Sequence, residues 1–347
     1  MKTIFVVDDN DVNLLAAEKT LAEHYNVYTL ASASAMFDLL DNVVPNLILL
    51  DINMPQIDGF EALKRLKSDM RYMNIPVIFL TSKNDATTES RGFELGVVDF
   101  VSKPFSLLVL LNRIKTHLAI DEIIRERTEK FLRLQNSLVS ALASMVESRD
   151  KLTSRHVEHT TKHIKILLDA MLERNVYADE IREWNFEAII SSARLHDIGK
   201  IVVSDIILNK PDSLTNSEYE IMKTHTAEGQ RIIDSIIAES GDEDFLQNAK
   251  LFASSHHERW DGTGYPHRLK GTAIPLQGRI MAIADVYDAL ISDRPYKSAF
   301  THKKAVEIIT QGRGTQFDPQ IVDVFLEVSD LFAAVNTANS DETHLPE

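Results

Sequence analysis

Leu47–Asp51 reads LILLD, four consecutive apolar residues closed by an acid. Outward from it, Ile4–Val7 ends in Asp8-Asp9-Asn10, Val77–Leu80 in Thr81-Ser82, and Phe100–Val101 precedes Ser102-Lys103-Pro104. Short runs apolar at every position read as strands buried on both faces of a parallel sheet. Helical segments such as Val12–His24 and Gly59–Asp69 separate them, which predicts an α/β doubly wound domain over residues 1–119. In that architecture ligands sit at the carboxyl ends of the strands. Asp8, Asp9, Asp51, Thr81 and Lys103 all fall there.

Three converging carboxylates repel one another unless a divalent cation shares them, and hard oxygen ligands suit Mg²⁺. A lysine beside them could neutralise an incoming phosphoryl group and a Thr hydroxyl could hydrogen-bond it. For any single Asp, capping of the following helix is an equal reading; for the five positions together it is the weaker one. This segment resembles the receiver domain of two-component response regulators. The matching residues are Asp8 and Asp9, Asp51 within LLDINMPQIDG, Thr81, Phe100 and Lys103-Pro104. The resemblance implies phosphorylation of Asp51 by a partner histidine kinase, Mg²⁺ held with help from the Asn53 carbonyl, an aromatic switch at Phe100, and a cis Lys103-Pro104 bond.

From Ile120 to Ser148 there is neither Pro nor Gly and strong helix formers dominate, so a continuous linker helix is expected over 120–148. Ile124, Phe131, Leu138 and Met145 recur every seven residues with Leu134 and Ala141 between them, a heptad seam interrupted by Arg127. Two readings stand: an amphipathic helix packed on its own domain, or a dimer coiled coil through which the receiver alters subunit pairing. Residues 149–335 carry helical patterns at Arg149–Met171, Ala188–His196, Ser217–Gly229, Asn248–His257 and Arg279–Ile291, which predicts an all-α bundle. Residues 336–347 are polar and aperiodic, an expected disordered tail.

The chain has 347 residues, enough for two ordinary domains. Cysteine is absent, which excludes disulfides, thiolate zinc sites, cysteine-ligated clusters and a cysteine nucleophile and leaves His, Asp and Glu as metal ligands. A net charge of −15 disfavours direct nucleic-acid binding and confines a phosphate-bearing ligand to a local basic pocket. MKTIFVVDDN lacks the long apolar region of a signal peptide and no run reaches membrane-spanning length; a cytoplasmic protein without membrane association is expected. Eight of the twelve histidines lie between His156 and His267, which locates the chemistry.

There, HHERWDGTGYP over His256–Pro266 combines adjacent histidines with glycines that permit tight turns. His196-Asp197 stand side by side in LHDIGK, compatible donors for a divalent transition metal, and a carboxylate can bridge two ions where imidazole cannot. Asp197 is the candidate bridge. His156, His159 and His163 share one helical face; His159, His163 and His302 read as structural. LHDIGK, His225, HHERWDGTGYP and ADVYDALISDRPYK resemble the HD-GYP branch of the HD phosphohydrolase superfamily. The resemblance implies His156, His196, Asp197, His225, His256, His257 and Asp285 as metal ligands. It further implies Lys200 near the scissile phosphate, Tyr265 at the substrate pocket, and Arg294 with Lys297 holding phosphates. Gly229 and Gly271 read as turn residues; Glu258 and Asp261 read equally as partners of the ligands or as ordinary turn acids. Leu152 stands where some relatives place a glutamate for a third metal, so two ions are expected.

The expected function is a response regulator hydrolysing cyclic di-GMP to linear pGpG, with GMP as a further product, by paired-metal chemistry under control of Asp51. Fe or Mn is favoured as the metal, with Zn and Ni as alternatives. The expected partners are cyclic di-GMP, a cognate histidine kinase and a second copy of the chain. The rival readings are a cyclic-dinucleotide sensor, a module docking partners through its GYP face, or a phosphodiesterase for cyclic GMP-AMP.

Overall fold

The computed structural model describes residues 1–82, 86–104, 106–149, 155–241, 244–292 and 299–337. They divide into two compact units, Met1–Leu132 and Arg133–Glu347.

The first unit contains β1 (Thr3–Val7), α1 (Asp11–Leu21), β2 (Asn26–Leu30), α2 (Ala33–Leu40), β3 (Leu47–Asp51), α3 (Gly59–Ser68), β4 (Val77–Thr81), α4 (Ala86–Glu94), β5 (Asp99–Ser102) and the start of α5 (Leu107–Arg149). The strands form one parallel sheet in the order β2-β1-β3-β4-β5. Alternate residues feed two cores. Phe5, Ile48, Leu50 and Phe79 pack on one face with Met36 and Leu63; Ile4, Leu47, Leu49 and Ile78 pack on the other with Leu14, Leu110 and Ile114. Both faces of the central strands are thereby covered, which is why Leu47–Leu50 is apolar throughout. The helix expected over 120–148 is therefore longer: it begins at Leu107, anchored in this core by Leu110 and Ile114.

The second unit holds the rest of α5, then α6 (His156–Glu173), α7 (Ala178–Arg182), α8 (Phe186–Ala193), a 3₁₀ helix (Ile198–Val202), α9 (Asp205–Leu208), α10 (Asn216–Ser240), α11 (Asp244–Ser255), α12 (Leu276–Ile291), α13 (His302–Gln311) and α14 (Pro319–Thr337). Its described residues contain no strand, in keeping with the predicted all-α bundle. Two local expectations differ. The pattern expected to run through Arg149–Met171 is interrupted at Arg155, whose φ of −144° is not helical, and α6 begins at His156. His196 and Asp197 do not close a helix either: α8 stops at Ala193, and 3₁₀-type bonds (Leu195 N to Ser192 O, His196 N to Ala193 O, Ile198 N to Leu195 O) carry the pair on a tight turn.

Ile164, Leu168, Ile280, Ile283, Tyr287, Phe325 and Phe332 build the main core from α6, α12 and α14. A buried ion pair braces it: Arg279 Nη1 lies 2.8 Å from Asp318 Oδ2, which also accepts from the Tyr177 hydroxyl at 2.9 Å. A smaller cluster joins Val139 and Val146 of α5 to Leu195, Ile198, Ile233, Ala249 and Ala253. The seam residues Ile124, Phe131, Leu134, Leu138 and Met145 are all exposed, so they lie off that packed face. Gly229 is not a turn residue: it sits inside α10, where an added Cβ would press on Ala253 Cβ at 3.2 Å and Gly199 N at 3.4 Å. No helix is long and apolar enough to cross a membrane among the described residues.

Candidate metal centre and receiver pocket

At the carboxyl edge of the sheet, β1 delivers Asp8 and β3 delivers Asp51, and carboxylate oxygens of Asp8, Asp9 and Asp51 lie within 4.8 Å of one another. Lys103 Nζ stands 2.5 Å from Asp8 Oδ2 and 2.9 Å from Asp51 Oδ1. Helix capping does not account for these acids, because α1 is capped by Asn10 and α3 by Asp58. Burial pushes the Asp51 carboxyl up, against Lys103 and the Asn53 main-chain N–H, which favour its charged form. Gly59 is required beside it, since a Cβ there would meet Asp51 O at 2.4 Å. Thr81 is buried at the end of β4, and Phe100 packs edge-on against Phe79 and Phe93. The Lys103-Pro104 bond is cis.

In the helical unit the seven expected ligands converge. His156 opens α6, His196 and Asp197 ride the turn after α8, His225 lies in α10, His256 and His257 follow α11, and Asp285 lies in α12. Two trios form, His225/His256/His257 and His156/His196/Asp285, each with ligand atoms within 4.8 Å of one another. Asp197 lies between them. Its Oδ1 is 3.4 Å from His225 Nε2 and 3.7 Å from His256 Nε2, while its Oδ2 is 3.4 Å from His196 Nε2 and 2.8 Å from Lys200 Nζ.

The tautomers are fixed from behind. His196 Nδ1 donates to Ala193 O at 3.0 Å, His225 Nδ1 to Met222 O at 2.7 Å and His256 Nδ1 to Phe252 O at 2.9 Å, leaving Nε2 to face the centre. His225 Nε2 and His256 Nε2 approach to 3.3 Å, and the buried His196 Nε2 has no hydrogen-bond partner among the described residues. Such an arrangement fits a shared divalent cation, because buried polar atoms otherwise find partners.

The charges agree. Burial holds His225 and His256 below the ordinary histidine value, and burial together with His225 brings His257 down to about 4. Burial pushes Asp197 and Asp285 up, but Lys200 and His196 for the first, and His156 for the second, outweigh it and hold both carboxyls low. Burial also opposes protonation of His156, yet its bonds to Asp285 and Asp288 raise it to about 10.

Asp288 is the residue missed in the sequence. It is 1% exposed, accepts from His156 Nδ1 at 2.7 Å and from His159 Nδ1 at 3.0 Å, and so orients the His156 ring. The signal was available: in ADVYDAL it stands three residues after Asp285, on the same helical face. His159 thus reaches Asp288 rather than either trio. His163 stacks on Phe332 at 4.3 Å, and His302 Nδ1 lies 2.8 Å from the Tyr287 hydroxyl. Glu258 and Asp261 are turn acids: Glu258 accepts from His267 N at 2.7 Å and Leu269 N at 3.0 Å, and Asp261 from Thr263 N at 2.9 Å.

A cleft of about 460 Å³ opens over the centre, lined by Asp197, Lys200, Tyr219, His257, Arg259 and Tyr265 among others. Tyr265 stacks on His257 at 4.9 Å, and burial raises its hydroxyl well above the ordinary value. Gly264 lets this loop close, since a Cβ there would meet Arg259 N at 2.3 Å. Arg294, Lys297 and Leu152 lie outside the described residues.

The response regulator receiver domain family matches residues 4–115 and the HD domain family matches residues 138–321. A probable cyclic di-GMP phosphodiesterase of Vibrio cholerae serotype O1 is 38% identical over 98% of this chain and 80% of its own length. The cyclic di-GMP phosphodiesterase response regulator RpfG of Xanthomonas campestris pv. campestris is 36% identical over 81% of this chain and 75% of its own. A 3'3'-cGAMP-specific phosphodiesterase 2 of Vibrio cholerae serotype O1 is 37% identical over 59% of this chain and 37% of its own. The chain belongs to the HD-domain phosphohydrolase family, in the branch that carries a response regulator receiver domain ahead of the helical HD domain.

Proposed function

We propose that this chain is a cytoplasmic response regulator whose HD domain hydrolyses cyclic di-GMP, with linear pGpG as its main product, under control of phosphorylation at Asp51. One observation carries the reading: the Asp197 carboxylate stands between two trios, one oxygen toward His225 and His256, the other toward His196. His156, His196 and Asp285 would hold one divalent metal, His225, His256 and His257 the other, with Asp197 common to both; Fe or Mn suits this His/Asp set, as do Zn and Ni. Bound there, such ions supply Lewis acidity to the phosphodiester and to the attacking water.

The chain's own residues do the rest. Lys200 Nζ, 2.8 Å from Asp197 Oδ2 at the cleft, would hydrogen-bond an oxygen of the scissile phosphate. Tyr265, packed on His257, offers a flat wall to a purine and limits rotation of that imidazole. Arg294 and Lys297 complete the reading as holders of the phosphates. In the receiver, Asp8, Asp9 and Asp51 with the Asn53 carbonyl would bind Mg²⁺, and a histidine kinase would donate the phosphoryl group. The exposed seam of α5 supports a homodimer.

A second reading keeps the reaction and changes one base: hydrolysis of cyclic GMP-AMP, favoured by the relative of that activity. Metal-loaded protein incubated with each dinucleotide and resolved by chromatography separates them. Cyclic di-GMP should be consumed to pGpG. Preference for cyclic GMP-AMP moves the substrate, and a metal-filled centre that cleaves neither makes the domain a sensor or a docking module.

A further inference from the structure

Arg149 is the last residue of α5, and its guanidinium leaves that helix to grip the segment behind Asp197. Nη1 donates to Ile201 O at 2.6 Å and Lys200 O at 3.3 Å, and Nη2 to Val203 O at 3.0 Å. Nε and Nη2 both reach Asp205 Oδ1, at 3.2 and 2.8 Å, and Asn209 Nδ2 donates back to Arg149 O at 2.8 Å. Carbonyls at a helix C-terminus lack intrahelical donors and carry the negative end of its dipole. A forked guanidinium reaches Ile201 O and Val203 O with one rigid group and shares Lys200 O with the Val203 N–H. The element so capped is the 3₁₀ helix Ile198–Val202, which follows Asp197 directly and contains Lys200.

The same turn of α5 holds a second ligand-bearing element. Glu147 Oε1 accepts from Val157 N at 2.7 Å, satisfying an N–H at the start of α6, where the N-cap Arg155 makes no side-chain capping bond to the helix; His156 is the first residue there. Val139, Ala143 and Val146 hold α5 down on this side. The end of α5 thus fixes two of the metal-bearing segments, while its beginning is packed in the receiver core by Leu110 and Ile114.

We propose that Arg149 is a positioning residue of the hydrolytic site: by capping the 3₁₀ helix it sets where the Lys200 ammonium stands, which gives the helix that begins in the receiver a direct hold on that lysine. This rests on the phosphodiesterase reading above and deepens it. Among the described residues the Arg149 side chain bonds main-chain oxygens and Asp205 and no metal-ligand side chain, so its loss acts through Lys200.

The test is a double-mutant cycle on the full-length, metal-loaded protein. Arg149→Ala should lower kcat for cyclic di-GMP by about ten- to a hundredfold, the range for residues that orient a reacting shell, with KM and bound metal little changed. In a Lys200→Ala background the same change should cost less than about twofold, because coupled residues are not additive. Arg149→Lys, which keeps the charge and loses the fork, should recover part of the rate, and it carries the cycle should the alanine variant fail to fold. Equal losses in both backgrounds, an undiminished kcat, or a loss confined to bound metal would overturn the assignment. Wild-type protein that holds metal and cleaves no dinucleotide would instead sink the phosphodiesterase reading, a result seen before any variant is compared.

Discussion

Replacing Asp288 by Asn keeps the volume of a buried side chain and changes what it can accept. The carboxylate now takes bonds from His156 Nδ1 at 2.7 Å and His159 Nδ1 at 3.0 Å. An amide has one oxygen and one NH₂, so one imidazole must face a donor. If that ring is His156, the cheapest remedy is to move its proton to Nε2, the nitrogen that faces Asp285, and an Nε2–H cannot ligate. If it is His159, a buried N–H loses its acceptor. Losing a hydrogen bond to a charged group costs about 1.5–3 kcal/mol, and each 1.4 kcal/mol is about a factor of ten. Asp288→Asn should therefore weaken metal binding at the His156/His196/Asp285 trio by about ten- to a hundredfold and leave His225/His256/His257 filled. Chelator competition followed by elemental analysis reads this, with turnover falling alongside the first trio. Equal retention of metal at both trios with an unchanged rate would refute the role given to Asp288.

Three further outcomes follow from other parts of the molecule. Asp318→Ala leaves Arg279 buried without its partner, so chemical denaturation should show a loss of about 3–5 kcal/mol; a change under about 1 kcal/mol would place that pair among dispensable contacts. Leu138→Glu puts a charge in the exposed seam of α5 and should convert a dimer to monomer by light scattering, whereas an unchanged mass would return the helix to its own domain. Beryllofluoride with Mg²⁺ should mimic a phosphoryl group at Asp51 and alter turnover or subunit pairing; wild-type protein indifferent in both would uncouple the receiver from the site.

Much of the site was legible because its chemistry is written in adjacent residues. His196-Asp197 and His256-His257 are pairs that plain structure rarely needs, and the apolar runs ending in Asp8, Asp51 and Thr81 expose ligand positions at strand ends. What escaped depends on partners distant in sequence. Asp288 shares a helical face with Asp285, but its role shows only once His156 and His159, more than a hundred residues earlier, are folded against it. Strand β2 passed unnoticed because an edge strand is only half covered, and NVYTL starts with an exposed Asn. The start of α5 at Leu107 was hidden because its apolar residues serve the sheet's core, not the later seam. The His196-Asp197 turn reads in sequence as a helix end because short 3₁₀ turns share the helical spacing of apolar residues over so few positions.

The measurement that bears most directly on the account is paired elemental analysis and turnover of wild type and Asp197→Asn. If one carboxylate spans the two trios, the wild type should hold an ion at each and release pGpG from cyclic di-GMP. The variant should lose metal and turnover together while keeping its helical circular dichroism. An Asp197→Asn protein that retains metal at both trios and hydrolyses cyclic di-GMP at a near-native rate would contradict the account.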